Sequence, residues 1–444
     1  MQFNLKKTYI TIAVLALTFL GAAFYTTSEV AFIQQGDASS LNQLDFLDLE
    51  PVSPAPKMDS ADINPEFDGQ VEKFMKRWSI KGASVAVLKD NQLIYSKGYG
   101  FANETTGEEL QTYHMMRIAS ASKLITAVGI MKLVEDGKLD LNEKVFGKSG
   151  ILSSYSEIKD KKHQEITVSH LLNHRGGWSW RDGDFMFQAE RIKRIMELSG
   201  PPTAHDIVDF VLQKRRLRYR PGTQYAYSNF GYMILGEIIE QKTGQTYENY
   251  INENILEPNG IKGMRIAGNY EWDRKPFEVH YYDYPSAYKY PSFDGNYPEC
   301  PKPYGGNDVK TLGAAGGWIA NATQLVKIAS LIDPTNKYGG ILNKESIKLM
   351  TGGNSYLDAY GWKGTRGDNW WRTGTLSGTS CFLYRKSNGF TYAVILNSSV
   401  WMGHRFNKYI KYMMDKAIKS LDTENPNDFL WQNRPEKSIL PLAV

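Results

Sequence analysis

Cysteine is scarce in this chain of 444 residues, which contains only Cys300 and Cys381. They form no Cys-x-x-Cys pair and have no zinc-ligand spacing, so thioredoxin-like redox motifs and zinc-ribbon patterns are excluded. Two cysteines in an exported protein can form one disulfide. We favour the alternative, two separate buried thiols, and we expect neither a metal nor another cofactor.

A large excess of charge of one sign is also lacking. The chain has 52 Lys and Arg against 48 Asp and Glu, a formal net charge of +4. No Lys/Arg block of the kind that binds phosphates occurs, so nucleic acid is not an expected partner. The motifs GxSxG, HExxH and GxxxxGK[ST] are absent as well. A small-molecule or peptide substrate is expected only from the family resemblance that the motifs described below carry.

A long hydrophobic run occurs at the start of the chain, where residues 8–25 carry no charge and follow Lys6 and Lys7. This pattern is typical of an export signal. The run is longer than most signal cores and at the short limit for a spanning helix of about 17–25 residues. Small residues at 21–23 would permit cleavage, so removal and retention as a membrane anchor both stay open. We expect a periplasmic or other extracytoplasmic protein.

Composition predicts four segments. Residues 1–25 form the export signal or anchor, and residues 26–62, rich in Pro, Ser and Asp, form a linker. Residues 63–425 form the folded domain, and residues 426–444 form a C-terminal tail.

Periodicity within the domain predicts two β-hairpins and a series of helices. The hairpins lie at 83–100, turning at Asp90-Asn91, and at 379–399, turning at 387–389. The helices lie at 67–78, 123–134, 166–174, 204–215, 228–244, 247–256, 322–332 and 402–421. Residues 270–309, rich in Tyr and Pro, form a long irregular excursion that we interpret as a packed lid or cleft wall.

Strands therefore cluster near both ends of the domain, whereas helices fill its middle. This layout predicts an α+β fold with one sheet assembled from the two chain ends, flanking helices and an inserted, mainly helical subdomain.

Ser120 and Lys123 are the first candidate catalytic residues. They lie one turn apart at the start of an apolar helix, on the same side. Free N–H groups and the positive end of the helix dipole favour a developing negative charge there, and burial lowers the pKa of a lysine. The alternative is that Ser120 is an N-cap and Lys123 is solvated. A second Ser-x-x-Lys, Ser156 to Lys159, lies in a polar stretch without an apolar helix.

Tyr227-Ser228-Asn229 is the second candidate, since it lies in a loop directly before a helix. Tyr227 could relay a proton and Asn229 could orient a substrate amide. The alternative is a core tyrosine with Asn229 as a helix cap. Two further Tyr-x-Asn triplets, at 247–249 and 250–252, lie inside a helical stretch, and we expect them to face solvent.

Arg372-Thr373-Gly374 is the third candidate and precedes a predicted strand. Arg372 could hold a substrate carboxylate, and Gly374 would let a ligand approach the backbone. The similar triplet at 242–244 ends a helix, with its glycine as the C-cap. His170 and His174 lie four apart, but without a third ligand at a suitable spacing we interpret them as structural.

Taken in order, Ser120-x-x-Lys123, Tyr227-Ser228-Asn229 and Arg372-Thr373-Gly374 resemble the motifs of the serine β-lactamase and penicillin-binding protein family. The resemblance is to its class C-like serine hydrolase branch and extends from about Phe67 to about Leu421. Flanking segments such as ITVSHLLNHRGGW and AAGGWIANATQLVKIASLI are similar in style.

The resemblance implies a mechanism that passes through an acyl-enzyme. Ser120 would attack a carbonyl, and Lys123 and Tyr227 would share the general-base and general-acid steps. The N–H groups of Ser120 and Thr375 would form the oxyanion hole. Asn229 would orient the substrate, and Arg372 with Thr373 would face its anionic end.

Two features depart from the family pattern. Members with β-lactamase or carboxypeptidase activity usually have Lys in place of Arg372, and many esterase-like members have His. No Glu-x-x-Leu-Asn segment, the mark of class A deacylation, is present. We therefore expect a serine hydrolase of β-lactamase, D-Ala carboxypeptidase or esterase type. The alternative is a membrane-tethered ligand-binding or sensor protein that kept the fold and lost turnover.

Overall fold

The computed structural model describes residues 64–352, 358–423 and 430–431. The predicted export segment, the linker and most of the predicted tail lie outside these residues, so the segment boundaries stay predictions. In the described ranges, no helix combines the length and the apolarity needed to cross a membrane. Two residues of the predicted tail are described: the Trp431 ring stacks on Tyr338 at 4.9 Å, and its Nε1 donates to the Asn91 carbonyl at 3.0 Å.

The α-helices of the described residues are α1 (Pro65–Trp78), α2 (Ser122–Glu135), α3 (Val168–Leu172), α4 (Ala189–Met196), α5 (Ala204–Lys214), α6 (Asn229–Thr243), α7 (Tyr247–Ile251), α8 (Val309–Gly316), α9 (Ala322–Leu331), α10 (Lys344–Met350) and α11 (Asn407–Ala417). The strands are β1 (Gly82–Lys89), β2 (Gln92–Asn103), β3 (Glu108–Glu109), β4 (Met116–Arg117), β5 (Arg265–Ile266), β6 (Trp318–Ala320), β7 (Gly364–Arg366), β8 (Asn369–Leu376), β9 (Thr379–Arg385) and β10 (Phe390–Leu396).

The main sheet joins the two ends of the domain. Its seven strands have the order β3-β2-β1-β10-β9-β8-β7, and neighbouring strands are antiparallel. The N-terminal strand β1 pairs with the C-terminal β10 from Ala83↔Leu396 to Lys89↔Phe390. A small second sheet has the order β4-β6-β5. This arrangement, with the helices between β4 and β7, confirms the predicted α+β fold.

Both faces of the main sheet are buried, which explains the apolar run at residues 85–88 of β1. Val85 and Val87 belong to a hydrophobic cluster with α1 and α11 on one face. Ala86 and Leu88 belong to the larger cluster on the other face, with α2 and α9. Successive side chains of a strand point to opposite faces, so a sheet covered on both sides needs apolar residues at every position.

Local signals placed several elements correctly. The β1–β2 turn has φ of 49° at Asp90 and 66° at Asn91, the left-handed pair that a two-residue hairpin turn requires. Helix α6 begins after the cap Ser228 and ends at Gly244, where φ is 70°. The predicted final helix is shorter than expected, because 3₁₀ turns at 403–406 and 418–420 replace its ends.

The excursion at 270–309 packs against the domain near its two ends, whereas most of residues 285–299 are exposed. The rings of Tyr270 and Trp272 stack at 4.5 Å, and Tyr270 also contacts Phe293. The guanidinium of Arg117, which is 1% exposed, donates to the Pro303 carbonyl at 2.6 Å. A Cβ at Gly378, in the β8–β9 turn, would contact Pro303, so the excursion lies against the end of β8.

The two cysteines are separate buried thiols, as the sequence interpretation favoured. Cys381 is 0% exposed on β9 and Cys300 is 6% exposed in the excursion, and neither is disulfide-bonded. Burial raises the pKa of both thiols, which keeps them protonated.

Candidate active site

Ser120 lies in a one-turn 3₁₀ helix, Ala119–Ala121, directly before α2. Ala119 has φ = 47°, a left-handed conformation that costs a non-glycine residue on the order of 1 kcal/mol or more. The N-cap position of α2 is held by Ala121, which has no side chain to cap it. Ser120 is therefore not the N-cap of α2, and the residue is half-buried.

The Ser120 hydroxyl lies close to Tyr227 and Lys123, the two residues that the motifs proposed as its catalytic partners. Tyr227 Oη donates to Ser120 Oγ at 2.8 Å, and Lys123 Nζ lies 3.4 Å from the same oxygen. The tyrosine comes from a segment about a hundred residues further along the chain. The fold therefore brings a hydroxyl, an amine and a phenol to one point, at the positive end of α2.

Lys123 is fully buried and surrounded by hydrogen-bond acceptors. Its Nζ donates to Asn229 Oδ1 at 2.6 Å and to the Ala315 carbonyl oxygen, in addition to Ser120. Burial lowers the pKa of Lys123 to about 8, and the positive charge of Arg372 acts in the same direction. The alternative of a solvated Lys123 is wrong, and the buried lysine that the hypothesis required is present.

The phenol of Tyr227 has a lower pKa than that of an ordinary tyrosine. Desolvation would raise its pKa, but the charges of Lys123 and Arg372 outweigh that effect and lower the pKa to about 8. Arg372 Nη2 donates to the phenol oxygen at 3.0 Å. Lys123 and Tyr227 therefore titrate in the same range and act as a coupled pair.

Arg372 projects from β8 into the same cluster and is 1% exposed. Its Nε donates to the Ser120 carbonyl oxygen at 2.6 Å, while Nη2 binds Tyr227. The guanidinium thus joins the strand to the serine turn and places a permanent positive charge beside the phenol. The sequence-based role of Arg372 as a carboxylate holder stays a prediction.

Gly374 allows β8 to approach the serine turn. A Cβ at this position would collide with the Ile118 carbonyl oxygen and lie 3.2 Å from the Ala119 Cβ. The sequence predicted a close approach at Gly374 by a ligand. The structure shows that the protein's own backbone occupies that space.

Asn229 is the first residue of α6 and connects Lys123 to a carboxylate that the sequence analysis missed. Its Oδ1 accepts from Lys123, and its Nδ2 donates to Asp184 Oδ2 at 2.6 Å. The helix cap is Ser228, so Asn229 is not the cap. Burial raises the pKa of Asp184, and the Asp184 charge in turn raises the pKa of Lys123. Asp184 stands in a polar loop and gave no sequence signal.

His174 lies beneath Tyr227, with ring centroids 4.5 Å apart. Burial and then the charges of Arg372 and Lys123 hold its pKa well below the usual value, so the ring is neutral. Its Nδ1 accepts from the Ser228 N–H at 3.2 Å, which fixes the loop that carries Tyr227. His170 instead completes a capping box with Thr167. In the described residues no group of three or more His, Cys, Asp or Glu could hold a metal.

The competing motif copies do not reach the site. Ser156 and Lys159 are exposed in a separate loop. Tyr247 and Tyr250 were expected to face solvent, and this was wrong: they are 7% and 2% exposed. Tyr247 Oη is within 2.7 Å of Thr126 Oγ1 and accepts from Trp318 Nε1, so it ties α7 to the core.

Two further features lie near this cluster of side chains. Thr373 and Thr375 lie on β8 beyond Trp371, where the pairing of β8 with β7 ends. A cavity of about 220 Å³ opens beside Tyr227 and Asp184, with walls that include Trp180, Phe185 and Phe230. The oxyanion-hole role of the Ser120 and Thr375 N–H groups stays a prediction.

Comparison with known sequences identifies related proteins. The chain is 26% identical to Protein flp of Staphylococcus aureus (strain MW2) over 243 residues, 51% of this chain and 46% of the relative. It is 29% identical to Penicillin-binding protein 4* of Bacillus subtilis (strain 168) over 206 residues, 46% of this chain and 42% of the relative. The chain thus spans less than half the length of these two relatives.

Comparison with solved structures supports the fold. The D-amino acid amidase of Ochrobactrum anthropi SV3 complexed with L-phenylalanine superposes with a TM-score of 0.62 at 23% identity, covering 81% of this chain and 98% of that chain. The sequence profile of the beta-lactamase family matches residues 67–411. With this match extending over most of the described domain, the chain belongs to the beta-lactamase family.

Proposed function

We propose that this protein is an exported serine hydrolase that forms an acyl-enzyme on Ser120 and acts on amide, peptide or ester substrates. One observation carries the proposal: the Ser120 hydroxyl lies within hydrogen-bonding distance of both Tyr227 and Lys123, whose pKa values are each lowered to about 8. A nucleophile needs such a base near neutral pH. Export rests on the character of residues 1–25, as does a possible membrane attachment.

The hydrogen bonds around Lys123 support Tyr227 as the proton acceptor in this proposal. The Ala315 carbonyl and Asn229 Oδ1 can only accept, so both require Lys123 to donate, which an ammonium does best. The Tyr227 oxygen receives a hydrogen bond from Arg372 and is the better site for negative charge. The reactive form therefore pairs a Tyr227 phenolate with a Lys123 ammonium.

The chemical steps follow from this assignment. Ser120 Oγ bonds to the substrate carbonyl carbon as its proton passes to the Tyr227 oxygen. The N–H groups of Ser120 and Thr375 stabilise the oxyanion. Collapse breaks the bond to the amine or alcohol, which takes the proton from Tyr227. Water, activated by the same phenolate, then hydrolyses the ester and restores Ser120.

The site also indicates the kind of substrate. The aromatic cavity beside Tyr227 can accept an apolar side chain next to the reacting carbonyl. The relatives include a protein named for penicillin binding, and a structural neighbour is a D-amino acid amidase. A cell-wall peptide containing D-amino acids, or a related small acyl compound, is the substrate class we propose.

The test is the substitution Ser120→Ala, with Ser156→Ala as the matched control in the second Ser-x-x-Lys motif. We expect Ser120→Ala to lose at least about 10³-fold in hydrolysis across D-Ala-D-Ala peptides, cephalosporins and nitrophenyl esters. Labelling by a fluorescent penicillin or a fluorophosphonate should disappear, and Ser156→Ala should match the wild type. Unchanged turnover in Ser120→Ala would end this proposal.

Arg372, which replaces the usual Lys or His, favours one second candidate, a ligand-binding or sensor protein of this fold without turnover. A stoichiometric burst of acylation at Ser120, without steady hydrolysis across the same panel, would support it.

A further inference from the structure

A second cavity lies on the face of the main sheet that is turned away from Ser120. Its volume is about 390 Å³, and side chains of β7, β8, β9 and α11 line it. On β8, Arg372 and Gly374 contact the serine turn, whereas Trp371 and Thr373 line this cavity. Successive side chains of a strand point to opposite faces, so the cavity is separate from the cluster around Ser120.

Three aromatic rings form the apolar wall of this cavity. Phe382 and Tyr384 stack with ring centroids 5.8 Å apart, and Trp371 is tilted against Tyr384 at 6.3 Å. All three rings pack in the hydrophobic cluster that the sheet forms with α1 and α11, which holds them in place. Ligand pockets span about 300–1,000 Å³, so a cavity of this size suits a compact ligand with one or two rings.

The polar side of the cavity carries only positive charge. Arg366, Lys408 and Lys411 line it, and no Asp or Glu does. Among the described residues Lys411 is paired with Asp415, whereas Arg366 and Lys408 are exposed and form no ion pair. Lys411 Nζ lies 5.3 Å from the centre of the Tyr384 ring, where the cations meet the aromatic wall. This charge is complementary to an anion bound against the rings.

Asn407, the first residue of α11, gives the cavity a hydrogen-bond acceptor that is not in use. The residue is 5% exposed, and its Nδ2 donates to the His404 carbonyl at 3.2 Å and to Thr375 Oγ1 at 3.4 Å. Its Oδ1 is buried and accepts no hydrogen bond from the described residues. Buried polar atoms normally have a hydrogen-bond partner, so an N–H or O–H group of a ligand would satisfy this one.

We propose that this cavity is a binding site for a compact aromatic anion that also carries an N–H or O–H donor. The ligand rings contact Trp371 and Tyr384, and the anionic group faces Arg366 and Lys408. Binding here makes or breaks no covalent bond. The inference is independent of the reaction proposed at Ser120, because the site lies on the other face of the sheet.

The test uses two fluorescent probes with the same aromatic skeleton, 8-anilinonaphthalene-1-sulfonate and the neutral N-phenyl-1-naphthylamine. We expect the full chain to bind one sulfonate probe, and the neutral probe at least about tenfold more weakly. Arg366→Met/Lys408→Met should weaken binding of the sulfonate by about tenfold or more and change that of the neutral probe less than about twofold. Arg218→Met/Lys416→Met removes the same charges from exposed positions outside the cavity and should match the wild type.

A further variant distinguishes this cavity from the aromatic cavity beside Tyr227. Trp180 is 75% exposed in the wall of that other cavity, and Trp180→Ala should keep the affinity for the sulfonate. Lost binding in Trp180→Ala with no effect of Arg366→Met/Lys408→Met would overturn the inference. Equal affinities for the two probes, or several sites per chain that ignore the double substitution, would overturn it as well. Fluorescence titration needs no turnover, so the result holds whether or not Ser120 is acylated.

Discussion

The two walls of the candidate active site differ in how they use charge. The helical wall, formed by the Ser120 turn, α2 and the loop and first turn of α6, buries Lys123 among acceptors and pairs it with Asn229 at 2.6 Å. The strand wall, formed by β8, contributes the permanent positive charge of Arg372. The helical wall holds Ser120, Lys123 and Tyr227, whereas Arg372 on the strand wall lowers the pKa of both titrating groups.

The largest effect expected from this comparison of the two walls is the pH dependence of the wild type. Burial lowers the pKa of Lys123 to about 8, and the charges of Lys123 and Arg372 outweigh the effect of burial on Tyr227 and lower its pKa to about 8 as well. The reactive form has lost one proton from this pair. Acylation should therefore be maximal above pH 8 and fall about tenfold per unit below it, roughly 100-fold by pH 6. The rate of labelling by a fluorescent penicillin measures this fall, which is the acid limb of the pH profile. A flat rate down to about pH 5 would show that the helical wall does not supply the base.

Removing the strand-wall charge should have the next largest effect. Arg372 lowers the pKa of both Lys123 and Tyr227, so Arg372→Met raises both values and depletes the reactive form at neutral pH. We expect kcat/KM at pH 7 to fall about tenfold or more, with the acid limb moved to higher pH. Arg372→Lys keeps the charge and should keep the limb near its original place. If the acid limb of the pH profile does not move in Arg372→Met, the electrostatic role that we assign to the strand wall is wrong.

The smallest effect should come from the carboxylate behind the helical wall. The Asp184 charge raises the pKa of Lys123, so Asp184→Asn should move the acid limb to lower pH, opposite to Arg372→Met. An amide can still accept from Asn229 Nδ2, and we expect kcat/KM above pH 8 to change less than about threefold. Asp182→Asn, an exposed neighbour in the same loop, is the control. A shift in the same direction as Arg372→Met would contradict the geometry.

Helix and hairpin positions were predictable because their signals are local. Left-handed turn residues such as Asn91, caps such as Ser228 and terminal glycines such as Gly244 act within a few residues of chain. Strand β8 was missed because the polar residue Arg372 interrupts its apolar pattern. Its pairing with β9, and briefly with β7, is visible only in the folded chain. The solvent-facing expectation for Tyr247 failed because the ring is buried by α2 and Trp318, which no nearby residue reveals.

The sequence by itself determined the order of the three motifs, the α+β layout from both chain ends and the identity of the nucleophile candidate, because these depend on residue types and local periodicity. Only the tertiary structure decided what surrounds each side chain. It buried Arg372, placed Asp184 behind Asn229 and set His174 under Tyr227. Acidity and accessibility arise from neighbours distant in sequence, and those neighbours are known only once the chain has folded.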